Sequence, residues 1–307
     1  DELGYKGIIN SDTGPIEMMP WGVEELSITE RYKLAITAGI NLFSGTADPH
    51  LLLETLKAYP ELMGKVDESV YLLLLEKFKL GLFENPYVVI EEAVATVGKK
   101  AFQDRADLAM RKSLVLLRNE EVKGSKVLPL KPGTKVYFET YLPKRDAPNS
   151  NVYQMGEGDW DLEFVDSPEK ADVILLWLLP QGKSLFQSDG SPLHVNLSEN
   201  GIDIGYINKL ISKKPTVLMI NFTNPWAIDE IYKGSGSNIK SVLASFGTSQ
   251  EALLDVVTGR FKPTGKMPFS TPVSDAAAQK QKSDVPGYME GDDYALFNFD
   301  EGLNGYQ

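Results

Sequence analysis

The alternation of apolar and polar positions divides the chain into two stretches of different character. Near the start, Tyr5-Lys6-Gly7-Ile8-Ile9-Asn10-Ser11-Asp12 runs into Thr13-Gly14-Pro15. A short apolar run stopped by Gly-Pro predicts a buried strand that ends abruptly. Ser27-Ile28-Thr29-Glu30 then has capping-box spacing, with a hydroxyl and a carboxylate able to satisfy each other's backbone N–H. Leu34, Ala35 and Ala38 give the helix it opens an apolar face, and Gly39 stops it. A second strand is expected at Ile40-Asn41-Leu42-Phe43, ending in Ser44-Gly45-Thr46. Leu51, Leu52, Leu56 and Ala58 supply the packing face of a second helix that ends near Pro60. Val66-Asp67-Glu68 opens a third, running to Leu80-Gly81-Leu82-Phe83 before Asn85-Pro86 breaks it.

After Ala101 the rhythm changes. A helix over 102–113 passes into Leu114-Val115-Leu116-Leu117 and a Pro-punctuated stretch. Strands are then expected at 135–140, 173–179, 217–221 and 241–246, and helices at 203–212, 225–232 and 249–258. Strands apolar on both faces that alternate with helices predict a largely parallel sheet between helical layers. Residues 274–283, rich in Ala, Gln and Lys, read as an exposed connector, and no internal repeat is present. Two strand–helix units, by contrast, can neither close a barrel nor cover a sheet. The first stretch is therefore expected to belong to a larger domain, and the chain to be the carboxyl-terminal portion of something longer.

Composition narrows the function classes. At 307 residues, 42% hydrophobic and 24% charged, the chain can bury a substantial core and has room for about two domains. With 31 basic against 43 acidic residues the formal charge is -12, which disfavours nucleic acid and anionic lipid as partners. A neutral substrate fits that balance, although solubility alone would account for it. The absence of cysteine excludes disulfides, thiolate catalysis and Cys-ligated zinc. Tyr71-Leu72-Leu73-Leu74-Leu75 is too short for a membrane span, so no membrane insertion is expected. No secretory signal opens the chain, and the triplets Asn196-Leu197-Ser198 and Asn221-Phe222-Thr223 match a glycosylation pattern common by chance.

Cofactor motifs are lacking. Gly156-Glu157-Gly158 has no third glycine at the dinucleotide offset, and its acidity would repel a pyrophosphate. There is no Walker loop and no Gly-x-Ser-x-Gly elbow. Two distant histidines, His50 and His194, give no ligand cluster, so neither metal nor cofactor is expected. Asp12 is the residue of chemical interest. A carboxylate at the carboxyl end of a strand stands where active sites gather in parallel α/β folds. Asp-Thr-Gly is equally good turn chemistry, so the residue alone supports either reading.

A family resemblance separates them. Gly4-Tyr5-Lys6-Gly7-Ile8-Ile9-Asn10-Ser11-Asp12 resembles the nucleophile strand of glycoside hydrolase family 3. Lys112-Ser113-Leu114-Val115-Leu116-Leu117-Arg118-Asn119 resembles the segment entering that family's α/β sandwich domain, and Ala171-Asp172-Val173 its next landmark strand. Gly259-Arg260-Phe261-Lys262-Pro263-Thr264-Gly265-Lys266-Met267-Pro268-Phe269 is similar to its Gly-x-x-x-Pro-x-Gly-Lys-Leu-Pro turn. Ala295-Leu296-Phe297-Asn298-Phe299-Asp300-Glu301-Gly302-Leu303 resembles its closing segment. The matches occur in family order across nearly the whole chain.

The resemblance implies the last strand–helix units of a (β/α)8 barrel at 1–85, a linker at 86–111, and a three-layer α/β sandwich domain with a mostly parallel sheet at 112–307. The rest of the barrel would be the missing N-terminal portion of the same protein. It further implies a retaining, exo-acting β-glycosidase that hydrolyses terminal β-linked sugars, β-glucosides foremost, through a covalent glycosyl-aspartate intermediate. Asp12 would be the nucleophile, with a second carboxyl group roughly 5–5.5 Å away to protonate the departing oxygen. Many family members place that acid/base as a Glu in the loop here spanning 180–195. This loop contains no Glu, and Asp189 is its only carboxylate and the nominee; Glu157 and Glu199 are rivals. Thr13 replaces the Trp that follows the nucleophile in many family β-glucosidases, and Trp21 could supply an aromatic platform from the same loop. His50 is expected near the same mouth. The missing Glu also leaves open a catalytically impaired, carbohydrate-binding or structural member of the fold.

Overall fold

Ser27 opens the first helix of the computed structural model, as the capping-box spacing predicts, whereas the third helix ends at Lys79, before Asn85-Pro86. The structure describes residues 3–45, 48–143, 150–152, 160–183, 192–234, 237–281 and 294–307. The chain divides into two units, Asp1–Val97 and Gly98–Gln307.

In the first unit, strands β1 (Asn10–Thr13) and β2 (Leu42–Ser44) pair in parallel, with Asn10 opposite Leu42 and Thr13 opposite Ser44. The ladder starts later than the apolar run suggested, because Ile8 and Ile9 precede it. Ile9 is tied instead by its N–H to Asn41 Oδ1 (2.9 Å) and by its carbonyl to Asn41 N (2.9 Å). Between the strands lies α1 (Ile28–Ala38), whose capping box is complete: Ser27 Oγ accepts from Glu30 N, and Glu30 Oε2 accepts from Ser27 N at 2.8 Å. Donation from the Ser27 hydroxyl (2.7 Å), and then from Ser27 N, holds the Glu30 carboxyl below its ordinary pKa. Gly39, at φ 103°, ends the helix in the left-handed conformation, as expected. Three helices follow: α2 (His50–Ala58), α3 (Met63–Lys79) and α4 (Ile90–Thr96). The last was not anticipated.

The second unit begins with α5 (Lys100–Lys112) and is organised around one sheet. Its strands are β3 (Val115–Asn119), β6 (Lys135–Tyr141), β7 (Ser150–Val152), β8 (Glu163–Phe164), β9 (Val173–Leu178), β10 (Thr216–Asn221) and β11 (Ile239–Ser245). A hairpin of β4 (Glu121–Val122) and β5 (Ser125–Lys126) follows β3. The sheet order is β3-β11-β10-β9-β6-β7, with β8 beside the start of β6. β11, β10, β9, β6 and β8 run parallel, and the outer strands β3 and β7 run antiparallel. This is the mostly parallel α/β sheet that the double-faced apolar runs predicted.

The period of two explains the layers. Ile174, Leu176 and Leu178 of β9 point into one core with Ile207, Leu210 and Ile211 of α6 (Ile204–Ile211). Leu175 and Trp177 point into the other, with Leu253, Leu254 and Val257 of α7 (Gln250–Val257). Each such fully buried aliphatic chain contributes about 1.5–3 kcal/mol. A carboxyl group sits inside as well: Glu139 is wholly buried, and its oxygens accept from Tyr137 Oη (2.7 Å) and Tyr206 Oη (2.8 Å). Burial, then the bond to Glu139, pushes the Tyr137 phenol above its ordinary pKa.

Two expectations fail. Residues 225–232 are not a helix, because Ala227 spends its N–H on Val195 O (2.8 Å) in a bridge and Trp226 Nε1 bonds Asn221 O (3.1 Å). Nor is 274–283 wholly a connector. Between the short strands β12 (Thr271–Pro272) and β13 (Ala295–Phe297), Ser274 caps a helix, α8 (Asp275–Gln279), accepting from Ala277 N at 3.2 Å.

Two of the segments that carry the sequence resemblance in this unit, the turn at 259–269 and the closing segment at 295–303, meet the chain at β3. Gly265 lies so near β3 that a Cβ would stand 2.5 Å from Leu114 O, which only glycine avoids. Leu303 N bonds Leu116 O (2.8 Å), and Met267 and the closing segment exchange backbone bonds through Glu301 O and Asp300 N.

Candidate active site

Asp12 is the third residue of β1, one step before the strand ends. Its side chain is exposed, and Oδ1 accepts from Thr13 N at 2.7 Å. Among the described residues, Oδ2 has no hydrogen-bond partner. The carboxylate is thus oriented through one oxygen and leaves the other available to an electrophile.

The strand beneath it is stapled by small polar side chains. Ser11 Oγ accepts from Ser44 N (3.0 Å) and donates to Asp12 O (2.7 Å). The Asn10 amide and Ser44 Oγ lie 3.1–3.2 Å apart in a reciprocal pair. Gly14 N reaches Ser44 O at 2.9 Å, and Gly45, at φ 81°, packs so tightly that a Cβ would meet Thr13 Cγ2 at 2.5 Å and Gly14 N at 2.9 Å. Gly45 therefore has both a steric and a conformational reason to be glycine.

The loop after β1 is held by a residue that no sequence motif singles out. Arg31, on α1, donates Nη1 to Ile16 O (3.0 Å), Nε to Val23 O (3.1 Å) and Nη2 to Glu24 O (2.8 Å). One guanidinium fork so fixes both ends of the segment that carries Trp21. Trp21 itself is 71% exposed, and Thr13 is exposed. Thr13 closes β1, and Trp21 lies in the loop that follows it. His50, at the first turn of α2, is exposed and pairs with Glu54 at 3.7 Å. Its neighbourhood gives it a surface helix-start role. A 240 Å³ hollow nearby is lined by Tyr32, Phe43, Asp48 and Leu52, without Asp12.

In the second unit, Asp189 and Glu157 lie outside the described residues. Glu199 is described, and it pairs with Lys183 at 2.8 Å. That hydrogen bond, with the Lys183 charge, lowers its pKa. A group held ionised in this way is poorly suited to donate a proton near neutrality.

The chain that re-enters at Pro192 is clasped by α8. Asp275 Oδ1 accepts from Val195 N (2.7 Å), Oδ2 meets His194 Nδ1 (2.8 Å), and Gln279 Nε2 donates to Leu193 O (2.7 Å). Partial burial alone would raise the Asp275 pKa, but the bonds from His194 and Val195 outweigh it and the net shift is downward. Among the described residues, no group of three His, Asp or Glu side chains could hold a metal ion, and no helix is long and apolar enough to cross a membrane.

Comparison with known proteins places these features in context. Residues 159–305 match the model of the glycosyl hydrolase family 3 C-terminal domain. Probable beta-glucosidase C of Aspergillus flavus is 34% identical over 318 residues, covering 99% of this chain and 47% of the relative. A periplasmic beta-glucosidase/beta-xylosidase of Dickeya chrysanthemi is 30% identical over 273 residues, covering 87% of this chain and 39% of the relative. A solved beta-glucosidase from Listeria innocua superposes with a TM-score of 0.69 at 19% identity, covering 98% of this chain and 47% of that one. That last likeness concerns the fold alone. The chain spans about half the length of the curated relatives it matches.

Proposed function

Because the chain belongs to glycoside hydrolase family 3, as its carboxyl-terminal portion, we propose that the whole protein is a retaining, exo-acting β-glycosidase with β-glucosides as its first substrates. The observation that carries this reading is Asp12, held through Oδ1 at the carboxyl end of β1, with Oδ2 unengaged among the described residues. The relatives' names, beta-glucosidase and beta-glucosidase/beta-xylosidase, support the substrate class.

In the proposed reaction, Asp12 attacks the anomeric carbon as the bond to the leaving oxygen breaks, forming a glycosyl ester. That oxygen takes a proton from a second carboxyl group, for which Asp189 is the candidate. The same group then removes a proton from water, which attacks the anomeric carbon and restores the Asp12 carboxylate. Trp21 would offer an aromatic face to the sugar, and Thr13 would shape the leaving-group side. Residues 1–85 would be the last units of a (β/α)8 barrel, completed by an N-terminal portion of the same protein, and 112–307 the sandwich domain. Large apolar side chains exposed in the first unit, among them Leu3, Tyr71 and Phe78, support a covering partner.

The test is Asp12→Ala in the whole protein with an aryl β-glucoside. The kcat should fall at least about 1000-fold, because the covalent route is removed. Undiminished turnover would refute the assignment. The absence of Glu from 180–195 favours a second reading, a saccharide binder without turnover. Wild-type protein that binds sugar yet leaves every activated aryl glycoside intact would establish it. Azide rescue of Asp189→Ala would instead identify Asp189 as the acid/base.

A further inference from the structure

A hollow of 490 Å³ opens at the amino-terminal ends of β6, β9 and β10, walled by the β4–β5 hairpin. Its lining carries four lysines, Lys123, Lys126, Lys131 and Lys214, against a single carboxylate, Asp172. This is an inversion of the chain as a whole, whose net charge is -12.

The surroundings make the inversion informative. Lysines next to the hollow have partners: Lys135 pairs with Glu163 (3.3 Å), Lys213 with Glu169 (2.6 Å) and Lys240 with Glu120 (3.2 Å). The four in the lining form no ion pair among the described residues. Lys126 Nζ instead donates to Asn119 O (2.9 Å), which fixes its position. Asp172 is already engaged, since its Oδ2 accepts from Lys135 N at 3.0 Å. Lys123 is held at φ 53°, a left-handed conformation disfavoured for a long side chain, at the hairpin turn with Gly124.

The walls are rigid and partly apolar. Asn119 clamps Leu128 through both backbone groups (2.9 and 3.0 Å), and Leu130 N bonds Val257 O at 2.8 Å. Leu130 and Pro215 are among the residues that line the hollow.

We propose that this hollow is a binding site for a small, multiply charged organic anion whose carboxylate, sulfate or phosphate groups meet the lysines while its carbon frame lies on the apolar wall. The volume falls within the range of small-molecule sites, about 300–1,000 Å³. A cleft lined by one sign of charge concentrates counter-ions of the other. Ammonium groups are compact donors able to serve any of the three anions.

The experiment is calorimetric titration of the full chain with three probes: a sulfated tetrasaccharide, an oligogalacturonate and inorganic phosphate. They separate sulfate, carboxylate and phosphate as the source of the anion. Saturable binding of at least one organic probe is expected, weakened at least about tenfold by Lys131→Glu combined with Lys214→Glu. It should also weaken as salt rises from about 50 to about 300 mM. Reversals of equal charge elsewhere, Lys57→Glu with Lys77→Glu on α2 and α3, should leave it unchanged.

A second readout needs no variant. The bound probe should slow acetylation of Lys131 and Lys214 in the wild-type chain, measured by peptide mass, and this readout decides if the double variant does not fold. The proposal is overturned if no organic probe binds saturably, if the control reversals weaken binding equally, or if neither lysine is protected.

Discussion

The two units use apolar residues in opposite ways. In the second, the eight residues of α7 include five that are buried, and β9 presents successive side chains to two separate cores. In the first, the seventeen residues of α3 include none, although Leu72, Leu73, Leu74 and Leu75 stand in an unbroken row. Tyr71 and Phe78 of the same helix are 63% and 57% exposed. An apolar stripe therefore states a demand for a partner, which α7 meets within its unit and α3, among the described residues, does not. The same contrast extends to single carboxylates: both Asp275 oxygens in the second unit are engaged, by Val195 N and His194, whereas Asp12 Oδ2 in the first has no hydrogen-bond partner among the described residues.

The largest effect that would sharpen this contrast is a pair of truncations. Leu176→Ala, at a fully buried position of β9, should cost about 2–5 kcal/mol. Leu74→Ala, 40% exposed on α3, should change the stability of this chain by no more than about 0.5 kcal/mol. Denaturant melts of both variants measure the difference, and equal losses would break the comparison. An intermediate effect is expected from Arg111→Met. It removes the partly buried partner of Asp255 (2.6 Å) that fastens α5 to α7, and should cost about 1.5–3 kcal/mol.

The smallest effect is a pH dependence at the α8 clasp. The Asp275 carboxyl has a lower pKa in the native state than its ordinary 3.8, so the unfolded chain binds its proton more readily. Its stabilisation is complete above the unfolded value and is lost as pH falls through the native one. Asp275→Asn should accordingly lose about 1 kcal/mol near neutrality, with the gap to wild type closing in acid. A gap that widened in acid would reverse the sign of the argument.

What the sequence disclosed follows from the same physics. Four strands of the sheet, β6, β9, β10 and β11, were legible because burial on both faces leaves near-continuous apolar runs, as in Val173–Leu178, whereas β7 and β8, three and two residues long, leave no such run. Ser27, Glu30 and Gly39 marked both ends of α1 through local chemistry alone. The segment at 225–232 misled because its decisive bond, Ala227 N to Val195 O, is non-local. Helix α8 was hidden by its small residues, whose alanines carry no amphipathic signal. Of the site, Asp12 stood out by its place at a strand end. Arg31 did not, since its three carbonyl acceptors are scattered over Ile16, Val23 and Glu24 and nothing in a lone helical arginine announces them. Ser11, Asn10 and Ser44 were likewise silent until the parallel register brought them together.

The most direct measurement is to trap the intermediate. The whole protein is incubated with a 2-deoxy-2-fluoro-β-glucoside carrying an activated leaving group, digested, and its adduct mapped by mass spectrometry. The account predicts a fluoroglucosyl ester on the peptide containing Asp12, at the Asp12 carboxyl, with loss of activity in step with labelling. An adduct on any other residue would contradict it.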